Sequence, residues 1–227
     1  MLDNLKQALG VWLIRKIQKY GPHNVRVSGK NYRISEDVFN PKYYYTSAFM
    51  AGHLEIAPGD EVLDIGTGSG IQAITAAKKA QKVVAVDINP AAVSFARENV
   101  RANGLEDIVS VYEGDLFSPL SPKDRFDIII FTPPYLEGAP KTDFDRALFD
   151  NNKELAGRFF SEAKNHLKPD GYIQMVYSSI AKPGEVLRIS YESGWRYTLI
   201  ARKKLLFEEF YIYRLTFMNH RGHREKL

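Results

Sequence analysis

Val62-Leu63-Asp64-Ile65-Gly66-Thr67-Gly68-Ser69-Gly70 is the stretch whose reading decides the fold. Four residues of buried-strand type run into three glycines at alternate positions, and a helix-like segment from Ile71 to Ala80 follows at once. Glycine carries no Cβ, so it lets the chain turn sharply and lets a ligand come close to the backbone. Strand, glycine turn and helix in that order make a nucleotide-type cofactor site at the carboxyl edge of a parallel sheet. The dinucleotide fingerprint needs a third small residue to pack helix on strand; here Ile71 stands in that place. Asp64 also sits inside the strand. A carboxylate there repels a pyrophosphate and attracts a cation, such as an amino group or a sulfonium.

Outward from this stretch, strands and helices alternate from Pro58 onward, the pattern of a doubly wound α/β sheet. Strands are expected at 61–65, 82–87, 108–112, 126–131, 171–177, 195–202 and 207–217, the last two as an antiparallel hairpin. Helices are expected at 69–80, 90–103, 151–168 and 182–193. The fold class is thus a Rossmann-like, seven-stranded, mostly parallel sheet with an antiparallel last strand. Residues 1–50 read as an N-terminal extension, a lid or substrate arm, ahead of a catalytic domain at 51–227. In the extension, Leu2, Leu5, Leu9, Leu13 and Ile17 form a helical stripe that Gly21-Pro22 ends. Two short strands, 25–28 and 32–35, join through Gly29-Lys30-Asn31.

Three further motifs carry chemistry. Lys82-Val83-Val84-Ala85-Val86-Asp87 is a buried strand ending in an acid; a carboxylate at that tip accepts hydrogen bonds from both hydroxyls of a ribose. Asp115, with Leu116 behind it, closes the third strand, offering an acceptor to an adenine amino group, a backbone donor and an apolar wall. Ile128-Ile129-Ile130-Phe131-Thr132-Pro133-Pro134-Tyr135 is a central strand followed by a stiff loop. Two prolines give no backbone N–H, so the loop presents carbonyl acceptors with an aromatic ring behind them. A planar amino nitrogen is a poor nucleophile, and acceptors that grip its hydrogens orient it and stabilise the charge that develops on it.

The first stretch closely resembles motif I of the class I S-adenosylmethionine (SAM) methyltransferases. Thr132-Pro133-Pro134-Tyr135 resembles the N/D-P-P-Y motif of amino-methylating enzymes of the HemK/PrmC small-domain group, with Thr132 in the Asn or Asp position. Phe39-x-Pro41 with Thr46 upstream, and Asp145-Arg146-Ala147-Leu148-Phe149-Asp150 downstream, extend the likeness. The resemblance implies SAM as cofactor. It would be held by Thr46, Asp64, Gly66, Thr67, Gly68, Gly70, Asp87, Ile88, Asp115, Leu116 and Thr132, with Thr132, Pro133 and Tyr135 lining the acceptor site. The implied reaction is methyl transfer to a protein glutamine amide or to an exocyclic amine of a nucleic-acid base. Still open are a SAM-binding protein with lost or altered activity, an enzyme acting on a small molecule, an aminopropyltransferase and an NAD-dependent enzyme.

Composition sets the remaining bounds. The chain has 227 residues, 44% of them hydrophobic, and no cysteine, which excludes disulfides, thiolate metal sites and a cysteine nucleophile. No apolar run approaches the ~20 residues of a membrane span, and the first 20 residues lack the form of a signal peptide; a cytoplasmic protein is expected. The five histidines show no metal spacing, and none is needed. Of these, His166 reads as a surface residue near a helix end. Asp143 and Asp145 read as solvated loop acids. The net charge is +4, with basic residues at 202–204 and at Arg221, Arg224 and Lys226, which allows a nucleic-acid partner without demanding one.

Overall fold

A computed structural model describes residues 2–205 and 208–218, with side chains from residue 11 onward. Arg221, Arg224, Lys226, His220 and His223 lie outside the described residues, as do the side chains of Leu2, Leu5 and Leu9 in the N-terminal stripe.

The sheet is built from β3 (Glu61–Ile65), β4 (Lys82–Asp87), β5 (Val109–Glu113), β6 (Phe126–Phe131), β7 (Leu167–Ser178), β8 (Trp195–Leu205) and β9 (Glu208–Phe217). Across it the order is β5-β4-β3-β6-β7-β9-β8. The first five are parallel, and β9 inserts antiparallel between β7 and β8. The central strands are predominantly apolar because both faces are covered. Val62, Val83, Ile128 and Ile130 face one core, and Leu63, Val84, Ile129 and Phe131 face the other. Helices α3 (Ile71–Ala76) and α4 (Pro90–Ala102) cover the first face, and α5 (Glu154–Ala163) and α6 (Pro183–Glu192) the second.

Several boundaries differ from expectation. Helix α3 is short, Ile71–Ala76, since its N-cap Gly70 takes up part of the expected span. Asn152 and Lys153 adopt left-handed backbone (φ 53° and 57°), so the regular helix begins only at Glu154 and stops at Ala163, with single 3₁₀ turns at either end. Lys168-Pro169-Asp170-Gly171 is not a connector. It belongs to β7, which jumps in register from Phe126↔Leu167 to Ile128↔Tyr172, as a bulge does.

Ahead of the sheet lie α1 (Leu2–Tyr20), a hairpin of β1 (Asn24–Val27) and β2 (Lys30–Arg33), and α2 (Tyr45–Ala51). The hairpin turn is the two-residue Ser28-Gly29, both at positive φ (49° and 82°), and not the expected 29–31; that geometry matches the twist of paired strands. Helix α2 has no counterpart among the expected helices. Val25, Tyr32, Phe49 and Met50 bury themselves in the same core as α3 and α4. Asn99 of α4, 1% exposed, clips this segment to the sheet: its Oδ1 accepts from Arg33 N (2.7 Å), and its Nδ2 donates to the Arg33 and Ser69 carbonyls. Gln174 of β7 donates to the His53 carbonyl and accepts from Glu55 N.

Candidate active site

The carboxyl ends of β3, β4 and β6, with the loop after β5, open into a cavity of about 360 Å³. Its floor is the turn after β3. Gly66, Gly68 and Gly70 all have positive φ (74°, 55° and 83°), which L-residues adopt only under strain. A Cβ on Gly66 or Gly68 would meet nothing within 4 Å, so bare backbone borders open space there. Gly70 does not line the cavity; it faces Ala96, at 3.5 Å from the position of a Cβ, and seats α4 against the turn.

Two carboxylates fix this turn from below. Asp64 is 1% exposed and does not reach the cavity wall. Its Oδ2 accepts from the Thr67 hydroxyl (2.6 Å) and from Ala73 N (3.2 Å). Burial pushes its pKa up to about 7, against the opposing pull of these hydrogen bonds. Asp87, at the tip of β4, lines the cavity. Its Oδ2 accepts from Gly68 N (2.8 Å) and its Oδ1 from Asn89 N (2.9 Å). Burial also raises its pKa. Each carboxylate oxygen accepts about two hydrogen bonds, so Asp87 keeps capacity for a ligand.

The far wall comes from β5 and β6. Leu116 is 5% exposed and has φ 51°, an uncommon conformation for a non-glycine residue. Asp115 is engaged with Arg158 of α5, Oδ2 to Nη2 2.7 Å. Thr132, Pro133, Pro134 and Tyr135 form the wall after β6. The Thr132 hydroxyl is buried with no hydrogen-bond partner among the described residues. Tyr135 meets Thr46 through its hydroxyl and packs edge-on against Tyr177 (5.7 Å). Burial lifts its pKa to about 12, so it stays neutral.

Of the residues singled out from sequence, Thr46, Gly66, Thr67, Gly68, Asp87, Ile88, Asp115, Leu116, Thr132, Pro133 and Tyr135 lie on one cavity, while Asp64 and Gly70 stand behind it. Two expectations are corrected. Asp145 is no solvated acid: it is 1% exposed and accepts from Lys141 N, Thr142 N and Arg15 of α1 (2.6 Å). His166 is 9% exposed and stacks on Phe117 (4.9 Å, 4°). Sequence reasoning gave no role to Arg158 or Asp150. Asp150 accepts from Leu155 N and Ala156 N, capping α5 beside the site. An acid just ahead of Glu154-Leu155-Ala156 was the available signal for that cap.

Comparison with known proteins follows the same lines. The family described as "Methyltransferase small domain" matches residues 36–204. The chain is 35% identical over 192 residues to a putative protein N5-glutamine methyltransferase of Methanocaldococcus jannaschii, covering 82% of this chain and 94% of that protein. It is 34% identical over 178 residues to a release factor glutamine methyltransferase of Koribacter versatilis, covering 70% of this chain and 62% of that one. Among solved structures, the T. thermophilus 16S rRNA N2 G1207 methyltransferase with AdoMet and guanosine superposes with a TM-score of 0.64 at 22% identity, over 86% of this chain and 50% of that chain. The E. cuniculi Mtq2-Trm112 complex, which methylates the eRF1 translation termination factor, superposes with 0.57 at 22% identity, over 81% and 99%.

Proposed function

Because the chain belongs to the methyltransferase small-domain family, we propose that it moves a methyl group from SAM to the side-chain amide nitrogen of a protein glutamine. The observation that carries this reading is the Thr132 hydroxyl, buried at the cavity wall without a partner and followed by the Pro133 carbonyl. A buried polar atom without a partner is costly unless a ligand satisfies it. Thr132 Oγ1 and the Pro133 carbonyl are two acceptors for the two hydrogens of a carboxamide. Tyr135 offers its ring to the flat amide; being neutral, it orients and does not take a proton. The choice of glutamine is supported by the M. jannaschii and K. versatilis relatives, a putative protein N5-glutamine methyltransferase and a release factor glutamine methyltransferase.

The residues present fit SAM. The open space beside Gly66 and Gly68 admits a ligand against bare backbone. Asp64 and Asp87, when ionised, put negative charge under the turn, which suits a cation and opposes a diphosphate. In this reading Asp87 receives the ribose hydroxyls, Asp115 the adenine amino group, and Ile88 and Leu116 enclose the ring. Gly66 to Gly70 hold the methionine part, with Asp64 acting through Thr67 and Ala73. When bound, SAM supplies a methyl group already activated by its sulfonium charge. The chain's own contribution is alignment of the nitrogen with that methyl, so that the C–N bond forms as the S–CH3 bond breaks and the neutral thioether departs, with the proton shed by the nitrogen passing to solvent after transfer. The extension at 1–50 serves as a lid or substrate arm, a role supported by the Arg15–Asp145 pair that ties α1 to the loop after Tyr135.

The test is transfer of labelled methyl from SAM to glutamine-bearing peptides, to RNA and to small molecules in parallel. Methylated glutamine as the product supports the proposal. Label in RNA alone transfers the reading to a base amine, and SAM binding without transfer to any fraction favours a binding protein.

A further inference from the structure

The Asp115–Arg158 pair is an observation that the function just proposed does not use. Both side chains line the cavity, Asp115 from the loop after β5 and Arg158 from α5. They meet at 2.7 Å, each more than a third exposed. A surface ion pair of this kind adds little to stability, so its place on a ligand wall is the feature to explain. Arg158 takes one oxygen of Asp115, Oδ2, and leaves Oδ1 free. Glu154 and Glu162 on the same helix also bear on Arg158, and they raise its pKa together with Asp115, whose hydrogen bond is the largest cause. The guanidinium is a permanent cation, and its hydrogen bond to Asp115 places it at that edge.

We propose that Arg158 is a positioning residue that locks the Asp115 carboxylate in the orientation that accepts from the purine amino group, and so makes the site selective for an aminopurine over an oxopurine cofactor. The inference rests on the placement of Asp115 at the adenine edge. An acceptor-only carboxylate held still rewards an amino group and opposes a carbonyl oxygen in the same place. Released from Arg158, the same carboxylate rotates toward water, and the discrimination falls. The device also has a mechanical root: α5 is capped by Asp150, which closes the loop after Tyr135, so the helix that carries Arg158 to the purine edge starts at the acceptor loop.

The experiment is calorimetric binding of S-adenosylhomocysteine and of its deaminated counterpart, S-inosylhomocysteine, to the full chain and to three variants. The native protein should prefer the adenosyl compound by about tenfold or more, the usual worth of a hydrogen bond to a charged group. R158Q should bring the preference to within about threefold of unity, chiefly by weakening the adenosyl compound, and R158K should retain part of it. D115A separates the two layers of the argument. If D115A abolishes the preference and R158Q leaves it intact, the role of Arg158 is wrong while that of Asp115 stands. If D115A also leaves it intact, Asp115 does not meet the purine and both fall. Tighter adenosyl binding by R158Q would show Arg158 to be an obstruction, which also overturns the proposal.

Discussion

Replacing Asp64 by asparagine should flatten the dependence of stability on pH. The side chain lies under the glycine turn, 1% exposed, with burial as the dominant influence on its titration. Its folded pKa stands at about 7, against roughly 3.9 in an unfolded chain. Between these values the native state keeps a proton that the unfolded state has given up. Fewer protons are then bound on unfolding, and the free energy of unfolding falls as pH rises through the window from about 4 to about 7. A separation of roughly three units at about 1.4 kcal/mol each sets an upper bound of about 4 kcal/mol on the loss. The substituted carboxamide would keep one acceptor for Thr67 or Ala73 and carry no charge. The assay is urea unfolding of both proteins from pH 4.5 to pH 8.5. Native stability minus variant stability should fall by several kcal/mol across the range, which removes the contributions of every other titrating group. Equal slopes would show that Asp64 ionises as freely in the folded chain as in the unfolded one, and the upward push on its pKa assigned to burial would be wrong. A second readout follows from the same linkage. SAM binding should favour ionised Asp64, so native affinity weakens as pH drops below about 7, by at most tenfold per unit; D64N should bind more weakly and show no slope there.

Other perturbations probe other parts of the site. Asp87→Ala removes the acceptor of Gly68 N and the proposed ribose contact together; calorimetry should show SAM affinity falling tenfold or more while circular dichroism stays native, and unchanged affinity would remove Asp87 from the site. Thr132→Asn restores a carboxamide oxygen at the acceptor wall; methyl transfer to glutamine-bearing peptides should rise several-fold, and no rise would weaken the glutamine assignment. Arg15→Ala leaves Asp145 its two backbone donors, so the loss in stability should be about 1 kcal/mol, but amide exchange at residues 141–150 should quicken if α1 restrains that loop.

The parallel core was legible because its strands are apolar on both faces and their turns are marked by glycine or by an acid at the tip. The observed strands at 61–65, 82–87 and 126–131 match the expected ones to the residue. Helix α2 was not legible: its seven residues are too few to show a period, and its N-cap Tyr44 makes no side-chain cap. The late start of α5 was hidden because Asn152 and Lys153 in left-handed backbone carry no glycine to announce it. What failed most was the burial of charge. Asp145 reads as a loop acid until Arg15, 130 residues away in the chain, is placed against it. Arg158 reads as one of many helix cations until Asp115 is brought against it from the loop after β5.

Four of the aspartates in and around the site show why motif spacing identifies a site better than it assigns roles within it. Asp64, Asp87, Asp115 and Asp145 have the same side chain, and sequence position alone makes the first three candidate ligand groups and the fourth a loop acid. Their surroundings separate them. Asp64 spends one oxygen on Thr67 and Ala73 beneath the turn, and Asp87 spends half its capacity on Gly68 and Asn89. Asp115 is shared with Arg158, and Asp145 is consumed by Arg15 and two backbone donors. Free acceptor capacity facing the cavity therefore remains on Asp87 and Asp115, while Asp64 contributes charge without contact and Asp145 contributes neither. A ligand meets what the fold leaves unsatisfied, and that remainder is a property of partners far apart in sequence.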